Sequence, residues 1–435
     1  MEKVVSLAKR RGFVFPGSEI YGGMSGTWDY GPMGVALKNN IKDLWWRTFV
    51  SSREDMYGID AAILMNPKAW EASGHVSGFS DPLVECKKCK HRFRADQLED
   101  PKKCPDCGGA LGEARQFNMM FKTHAGAVED DASAVYLRPE TAGGMFVNFK
   151  NVIDAFHPKL PFGMGQIGKA FRNEIAPRDF VFRAREFEQM EVEYFVHPGE
   201  WEAAFEEWHG IMHAFAKDVG IPKERVHDLE VAKEDRAHYS SRTIDFEFDY
   251  PFGRKELWGL AYRTDFDLSA HEKTSGVELK YVSDTGEKVT PHVIEPSLGV
   301  DRTVLAVLLS AYREDDMGGD TRTYLAFTPK VAPVKAAVFP LLKNKPELVA
   351  KAREVFAALK REVPGVLFDD NGNVGKRYRR QDEIGTPFCI TVDFDTLGEK
   401  PELKDTVTLR DRDTGEQERL SIADALQKII TASRS

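Results

Sequence analysis

The sequence predicts an α+β domain built on an antiparallel sheet, with a small cysteine-rich insertion, followed by a C-terminal α/β domain. Three observations predict this class. Strand-like runs, several of alternating polarity, dominate residues 113–312, which favours antiparallel pairing over a doubly wound parallel sheet. Four of the five cysteines lie within residues 84–112. Beyond residue 333 strands and helices alternate, which is typical of a small α/β domain with a mixed or parallel sheet.

The bulk properties are those of a globular protein with more than one core. A chain of 435 residues is too long for a single compact core, so two or three domains are expected. The sequence is 42% apolar but has no apolar run near the roughly 18 residues that span a bilayer. The segment Met1–Gly17 lacks the continuous hydrophobic stretch of a signal peptide. We therefore expect a cytoplasmic protein with no membrane partner.

The net charge argues mildly against a nucleic-acid partner. It is −9 at pH 7, but local patches rather than net charge decide such binding. Two basic clusters stand out, one at residues 87–94 and one composed of Lys376, Arg377, Arg379 and Arg380. From charge alone a solvated face is the favoured interpretation of either cluster.

The elements of the first domain can be placed from local signals. A helix is expected to begin at Gly31-Pro32, because proline suits the first helical position, and Ile41, Leu44, Trp45 and Phe49 give it one apolar face. The clearest strand-like runs follow further along the chain: Ala134–Leu137, Gly165–Arg172, Glu186–Phe195 and Thr243–Phe248.

A domain link is predicted where the pattern changes. The polar stretch Asp315–Thr323 and the proline-containing stretch Pro329–Pro333 separate the antiparallel region from the alternating one. Beyond them we expect these elements in turn: strand Ala336–Leu342, helix Pro346–Glu362, strand Val366–Asp369, a helix near Tyr378–Glu383 and strand Phe388–Phe394. The expected units are residues 1–83, 84–112, 113–325 and 326–435.

The cysteine pairs predict a structural zinc site. Cys86 and Cys89 form one Cys-x-x-Cys pair, and Cys104 and Cys107 form another. Two such turns can present four thiolates to one tetrahedral zinc ion, which leaves no position open for a substrate. The alternative is four free buried thiols. The fifth cysteine, Cys389, lies in an apolar run and is expected to be an ordinary core residue.

Two arginine-containing segments point to a phosphorylated ligand. The first runs from Gly168 to Glu191 and reads as two strands flanking a loop with several arginines, whose planar guanidinium groups match phosphate oxygens. A charged hairpin with ordinary salt bridges is an open alternative. The second, Pro291–Arg302, reads as a strand, a turn and a helix whose first turn displays Arg302.

Other patterns in the sequence do not match the motifs for phosphate-loop, dinucleotide or zinc-enzyme sites. Gly372–Lys376 lacks the spacing of a phosphate-binding loop, and no Gly-x-Gly-x-x-Gly follows a strand. The eleven histidines show no pair at zinc-enzyme spacing, and His75 and His271 are expected to be surface or core residues.

These segments resemble the motifs of class II aminoacyl-tRNA synthetases. Phe171-Arg172-Asn173-Glu174 is similar to motif 2, Gly299-Val-Asp-Arg302 to motif 3, and Gly31-Pro32 with its helix to motif 1. The wording is closest to the dimeric glycyl-tRNA synthetases, in phrases that run through the whole chain: Gly17–Gly23, Trp28–Pro32, Arg138–Thr141, Arg185–Glu191, Arg263–Leu268, Ile294–Ser297 and Gly375–Pro387. The resemblance implies a class II core, a zinc-ribbon insertion and a C-terminal anticodon-binding domain.

The resemblance also implies an ATP site and its chemistry. Arg172 would bridge the α-phosphate and the amino-acid carboxylate, Glu174 would accept from the adenine amino group, and Phe187 would stack on adenine. Arg183 and Arg302 would hold the outer phosphates, and Glu256 would help hold Mg²⁺. Arg172 and Arg302 are the expected catalytic residues. The full expected ATP set is Arg172, Asn173, Glu174, Phe182, Arg183, Arg185, Phe187, Glu256, Leu257, Gly299, Asp301 and Arg302.

The same resemblance implies the remaining ligands and partners. A glycine pocket must bind an ammonium group with carboxylates and fill the side-chain volume. Its expected residues are Arg94, Glu140, Phe187, Gln189, Glu191, Arg263, Glu295 and Ser297. tRNA-Gly would be bound through Lys376, Arg377, Arg379 and Arg380, and the protein would be a homodimer with ATP as substrate and Mg²⁺ and Zn²⁺ as metals.

Two departures and two alternatives accompany this interpretation. Gly143 stands where the family usually has Gln, and Arg254-Lys255 where it often has Trp-Gly. The main alternative is a non-catalytic nucleic-acid-binding relative, such as a polymerase accessory subunit, although Arg172, Glu174 and Arg302 argue for an enzyme. The second is a class II synthetase for another small amino acid.

Overall fold

The computed structural model describes residues 1–317 and 319–434. Its N-terminal segment contains short strands and the expected long helix, with these elements: α1 (Glu2–Arg10), β1 (Val14–Pro16), β2 (Trp28–Tyr30), α2 (Pro32–Trp46), β3 (Met56–Gly58), α3 (Pro67–Ala72) and α4 (His75–Gly78). Helix α2 begins at Pro32 after an extended Gly31, as predicted. A π-helical turn, Arg47–Ser51, follows it directly and carries Phe49 into the core.

The cysteine-rich insertion includes a small antiparallel sheet that connects it to the rest of the chain. Its strands, in the spatial order β5-β4-β6, are β4 (Ser80–Glu85), β5 (Arg92–Arg94) and β6 (Arg115–Asn118). The sheet extends beyond residues 84–112 on both sides, because β4 and β6 pair from Ser80 opposite Asn118. The insertion is thus tied at its base to the chain on either side.

The central region follows with mostly long strands. Its elements are β7 (Lys122–His124), β8 (Ala134–Tyr136), α5 (Ala142–Phe156), β9 (Phe162–Phe171), β10 (Glu186–Val196), α6 (Trp201–Asp218), β11 (Val226–Glu230), β12 (Arg242–Tyr250), β13 (Gly253–Thr264), α7 (Phe266–Ser275), β14 (Tyr281–Val282), β15 (Lys288–Val289), β16 (His292–Gly299) and α8 (Val300–Ala311). Within the described residues, the main sheet has the order β11-β12-β13-β16-β10-β9-β3. All neighbours in it are antiparallel except β3 and β9, which confirms the predicted antiparallel fold.

Alternate residues along its strands give this sheet one apolar face and one polar face. On β10, Met190, Val192 and Tyr194 point into the large core that also contains residues of α2, α6 and α8. The alternate residues Gln189, Glu191 and Glu193 must therefore point to the other face. Glu191 pairs in register with Ser297 of β16, so two neighbouring strands place polar side chains on that face together.

The predicted link at Asp315–Thr323 is wrong, because the chain there forms a hairpin of β17 (Tyr312–Met317) and β18 (Asp320–Leu325). Its polar residues are held by specific partners rather than by solvent. The Arg322 guanidinium is buried, binds Asp315 at 2.5 Å and donates to the carbonyl of Arg412 at 2.6 Å. Polarity predicted a loop here, but strand pairing and the contacts of the buried Arg322 hold the chain as a hairpin.

The C-terminal region has the predicted alternation. Its elements are β19 (Ala336–Pro340), α9 (Pro346–Glu362), β20 (Val366–Phe368), α10 (Val374–Ile384), β21 (Phe388–Val392), α11 (Phe394–Leu397), β22 (Thr406–Asp411), β23 (Gln417–Ser421) and α12 (Ile422–Arg434). The sheet order is β20-β19-β21-β22-β23, parallel around β19 and antiparallel beyond β21. Cys389 is buried in β21. None of the helices in the described parts of the chain combines the length and apolarity needed to cross a membrane.

Candidate active site

A cavity of about 340 Å³ lies over the polar face of the main sheet. Most of the predicted ligand-binding residues line it: Glu140, Arg172, Glu174, Phe182, Arg183, Phe187, Gln189, Glu191, Glu256, Leu257, Glu295, Ser297, Gly299, Asp301 and Arg302. They come from β10, β13, β16, the start of α8, the loop between β9 and β10 and the segment before α5. Residues more than a hundred positions apart in the sequence therefore face one volume.

Glu191 lies at the acidic end of the cavity and is fully hydrogen-bonded. Thr141 Oγ1 donates to it at 2.5 Å, Ser297 Oγ at 2.6 Å and Gln189 Nε2 at 3.2 Å. Burial and the neighbouring Glu140 raise the pKa of Glu191. A ligand cation at this point would favour its ionised form, because an opposite charge offsets both causes.

Glu140 is held beside Glu191 by His75, which the sequence did not place in the site. His75 Nε2 lies 3.3 Å from Glu140 Oε2, and His75 Nδ1 is 2.8 Å from Ser73 Oγ. Burial opposes ionisation of Glu140, but His75, Arg263 and other cations lower its pKa to about 2. His75 is a buried core residue with polar partners, as predicted, and through Glu140 it also contacts the cavity's acidic end.

Glu295 forms the floor of the acidic end, and the buried Glu193 lies close to it. Arg263 lies below them, bound to Glu295 at 2.6 Å and to Asp267 at 2.7 Å, and it does not line the cavity. Burial raises the pKa of both Glu193 and Glu295. Glu193 accepts no hydrogen bond from any described residue, whereas Glu295 is paired with Arg263, so the ionised form of Glu193 is the less well stabilised of the two.

We call the part of the cavity that is lined by Arg172, Arg183 and Arg302 its cationic end. The Arg172 guanidinium lies 5.3 Å from the ring centres of both Phe79 and Phe187, and its Nε donates to the Pro139 carbonyl at 3.1 Å. Arg302 lies 3.0 Å from Glu256. Burial lowers the pKa of Arg183. Guanidinium groups gathered at a half-buried site attract phosphate oxygens.

Glu174 presents an unused acceptor at this end. Its Oε2 is buried and has no hydrogen-bond partner among the described residues, and the closest ion-pair contact is Arg183 Nε at 3.9 Å. A buried carboxylate oxygen without a donor costs free energy. A ligand with an N–H group would supply that donor.

Asp245 adds a carboxylate that the sequence did not indicate. It lines the cavity from β12, near Glu256. Burial and the charges of Glu256 and Glu247 raise the pKa of Asp245 to about 7. Two oxygen ligands that repel each other beside a phosphate-binding end fit a hard divalent cation, which would relieve the repulsion.

Five predicted residues lie outside this arrangement or serve it indirectly. Asn173 and Arg185 hold the motif 2 loop through backbone contacts, to Met119 at 2.7 Å and Ser25 at 2.6 Å. Arg94 is bound to Asp81 and Asp96 at 2.7 Å. Arg263 lies under the floor, as described above. Asp301 lines the cavity, but its two oxygens accept from Tyr30 at 2.5 Å and from the Glu188 backbone at 2.7 Å.

Sequence reasoning therefore missed several site residues. Thr141 belonged to a phrase already noted, Arg138–Thr141, and so carried a signal. Tyr239 lines the cavity, with its ring 3.7 Å from the Arg263 guanidinium. Neither Tyr239, which lies in a turn, nor Asp245, which strand pairing brings to the cavity, carried a sequence signal.

The four clustered cysteines converge as the spacing predicted. Their sulfur atoms lie within 4.8 Å of one another, with Cys86 to Cys107 and Cys89 to Cys104 each at 3.6 Å. Zinc–sulfur bonds of about 2.3 Å in a tetrahedron require sulfur separations of roughly 3.8 Å. The donor set fits a zinc ion.

The basic cluster of α10 divides into exposed and buried members. Lys376 and Arg379 are exposed, and Arg380 is half-buried and bound to Asp369 at 2.7 Å. The inclusion of Arg377 in a binding surface is corrected: it is 1% exposed and donates to the carbonyls of Pro340, Asp370 and Gly372. Its charge stabilises the turn before the helix.

Comparisons with known proteins agree with this geometry. The "tRNA synthetase class II core domain (G, H, P, S and T)" family matches residues 121–312, and the "Anticodon binding domain" family matches residues 335–432. A glycine–tRNA ligase of Bacillus cereus is 51% identical over 98% of this chain and 97% of its own length. Those of Caldanaerobacter subterraneus (97% and 96%) and Clostridium acetobutylicum (99% and 98%) are each 50% identical.

Proposed function

The chain belongs to the glycine–tRNA ligase family of class II aminoacyl-tRNA synthetases, and we propose from this how its cavity activates glycine with ATP and charges tRNA-Gly. The observation that carries the assignment of roles is the polarity of one cavity. Its arginine end suits a polyphosphate, and its glutamate end suits an ammonium group. Glycine adenylation requires ATP and glycine to bind next to each other, so both ends must belong to one cavity.

ATP occupies the cationic end in this proposal. The adenine amino group donates to the unpaired Oε2 of Glu174, and adenine stacks on Phe187. Arg172, beside Phe187, contacts the α-phosphate, and Arg183 and Arg302 contact the outer phosphates. The support is the orphaned acceptor on Glu174 and the three guanidinium groups that line one wall.

Mg²⁺ would be held by Asp245 and Glu256. When bound there it would neutralise charge on the leaving pyrophosphate. The raised pKa of Asp245 supports a cation beside these two carboxylates, and the pairing of Glu256 with Arg302 keeps it at the phosphate end.

Glycine occupies the acidic end. Its ammonium group faces Glu140, Glu191 and Glu295, and Ser297 and Gln189 orient Glu191 by hydrogen bonds. Every competing amino acid is larger than glycine, so the walls can exclude it by volume, which is easier than rejecting a smaller analogue.

The reaction needs no nucleophilic side chain. A carboxylate oxygen of glycine attacks the α-phosphorus, the bond from that phosphorus to the pyrophosphate oxygen breaks, and glycyl-adenylate forms. A ribose hydroxyl of the tRNA terminus then attacks the glycyl carbonyl and releases AMP. Arg172 stabilises the charge that develops on the α-phosphate, and the rest of the cavity positions the reactants.

Three further parts of the proposal concern the zinc ion, the binding of tRNA and the location of the protein. One zinc ion would bind Cys86, Cys89, Cys104 and Cys107 and fold the insertion. The C-terminal domain would bind the anticodon region of the tRNA, with Lys376, Arg379 and Arg380 as its cationic surface. A cytoplasmic location follows from the reaction itself.

A homodimer would form on the side of α2. Large apolar side chains are exposed in the segment before this helix, including Ile20 (88% exposed) and Tyr21 (86% exposed). Exposed apolar groups of this size typically mark an interface, and motif 1 contributes to the subunit interface in the family that the sequence resembles.

The decisive experiment is amino-acid-dependent exchange of pyrophosphate into ATP, with a panel of twenty amino acids. We expect exchange with glycine alone. Exchange with alanine or serine instead would replace the substrate assignment. An absence of exchange with every amino acid, together with retained tRNA binding, would favour the non-catalytic alternative.

A further inference from the structure

Two histidines and an aspartate converge on the outer side of α6, away from the active site. The expectation that no histidines pair at metal-binding spacing is wrong, because His209 and His213 are one helical turn apart. Their Nε2 atoms lie 2.8 Å and 3.0 Å from the carboxylate of Asp228 on the edge strand β11. We infer that these residues form a second metal site, selective for a divalent transition metal such as Zn²⁺.

The geometry is that of a ligand set. Both imidazoles direct the same ring nitrogen to one point, and the three ligand atoms lie within 4.8 Å of one another. Tetrahedral zinc with bonds of about 2.0–2.1 Å needs ligand separations of roughly 3.3 Å. The Nε2–oxygen distances therefore need to open by only a few tenths of an ångström. Both rings pack on Phe246, 5.3 Å and 4.9 Å away, which restricts their orientation.

The donor set decides the kind of metal. Two neutral imidazoles and one carboxylate suit zinc and its transition-metal neighbours, and they do not suit Ca²⁺ or Mg²⁺, which prefer oxygen ligands. Three protein ligands leave a fourth position to water. The three side chains are half-buried or at the surface, so an ion can reach them from solvent.

The metal would join the edge strand to the helix that covers it. Within the described residues β11 is paired on one side only, to β12, so a metal bond from Asp228 to α6 would strengthen its attachment. This role is independent of the four-cysteine site and of the proposed aminoacylation chemistry.

The test is a zinc count on the full chain, dialysed against micromolar Zn²⁺ and measured by mass spectrometry. We expect about two ions per chain in the native protein and about one in His213→Gln and in Asp228→Asn. The matched control is His227→Gln, which removes an imidazole bound to Asp249 at 2.8 Å but outside the cluster. It should keep two ions.

A second measurement separates this site from the cysteine site. Cys104→Ser should lose its own ion while the protein keeps the ion at His209, His213 and Asp228. Added Zn²⁺ should raise the thermal midpoint of Cys104→Ser by a few degrees, and it should not raise that of Cys104→Ser/His213→Gln. One ion in the native protein, or two ions in folded His213→Gln, would overturn the inference.

Discussion

Tyr30 donates its hydroxyl proton to Asp301 Oδ1 at 2.5 Å, joining the strand before α2 to the first turn of α8. Arg302, the next residue, is one of the arginines that line the cavity. The neighbouring Asp301 Oδ2 accepts from the backbone of Glu188 on β10 at 2.7 Å. One carboxylate thus fixes three segments around the phosphate end.

Removal of this hydroxyl should weaken catalysis without unfolding the protein. We expect Tyr30→Phe to lower kcat/KM for ATP in glycine-dependent exchange by about 10- to 100-fold, because a hydrogen bond to a charged group contributes about 1.5–3 kcal/mol. Tyr57→Phe is the control, since the Tyr57 ring packs on Phe156 away from the cavity. Equal activity of the two variants would show that Asp301 needs no help from Tyr30.

Arg172 should be required for activation and not for tRNA binding. We expect Arg172→Ala to reduce exchange by about 10²- to 10³-fold, which is the usual loss when one donor to a developing negative charge is removed. Arg178→Ala, in the same loop but with an exposed side chain, should retain near-native exchange. tRNA affinity, measured by filter binding, should be unchanged in both variants. Native exchange in Arg172→Ala would remove this residue from the mechanism.

Glu193 should make the protein less stable as the pH rises. The folded state raises the pKa of Glu193 through burial, with Glu295, Glu191 and Asp267 adding negative charge and Arg263 opposing them. Below the unfolded pKa the group is protonated in both states and contributes nothing. Above it, the unfolded chain releases a proton that the folded chain keeps, so the unfolding free energy falls by at most about 1.4 kcal/mol per pH unit.

Glu193→Gln should remove that decline. We expect urea unfolding between pH 5 and pH 8 to show a flatter stability profile for this variant than for the native protein. Glu186→Gln, at the exposed end of the same strand, should keep the native profile. Parallel profiles for the native protein and Glu193→Gln would mean that Glu193 is ionised in the fold.

Gly143 should be required by the packing of Trp70. A Cβ atom at this position would lie 2.7 Å from the Trp70 ring, which is buried. We expect Gly143→Ala to lower the unfolding free energy by about 1–3 kcal/mol, despite the better helix propensity of alanine. Gly210→Ala is the matched control, because no atom of the described residues lies within 4 Å of a Cβ added there on α6. It should stabilise by up to about 1 kcal/mol. Stabilisation by both would contradict the packing argument.

Substitutions in the basic cluster of α10 should affect tRNA binding at the exposed residues and folding at the buried one. We expect Lys376→Ala to weaken tRNA binding and to reduce the salt slope of log affinity by about one. Arg377→Ala should instead lower the thermal midpoint, because three backbone carbonyls lose their buried donor. If Arg377→Ala changed only the tRNA affinity, its buried position in the structure would not describe the functional state.

Local sequence patterns and residue spacing predicted many structural features of this protein. Strand alternation predicted the antiparallel sheet, the proline at residue 32 predicted the start of α2, and Pro346–Glu362 was predicted as the helix that the structure contains. The four cysteines were grouped by spacing alone. These features are local: propensity, period and turn chemistry act within about twenty residues, so one sequence reveals them. The family followed from phrases in their order along the chain.

Tertiary structure decided what each side chain meets. His75 and Glu140 are far apart in sequence and 3.3 Å apart in space. Asp245 lines the cavity because β12 pairs with β13. His209 and His213 contact Asp228, which lies on an edge strand. Composition placed Arg377 on a basic surface and Asp315 in a linker, whereas burial gave Arg377 a structural role and cross-strand pairing with Arg322 gave Asp315 one. A polar side chain is expected at the surface unless another part of the folded chain replaces the water that binds it. That replacement depends on residues distant in the sequence, which local sequence patterns do not reveal.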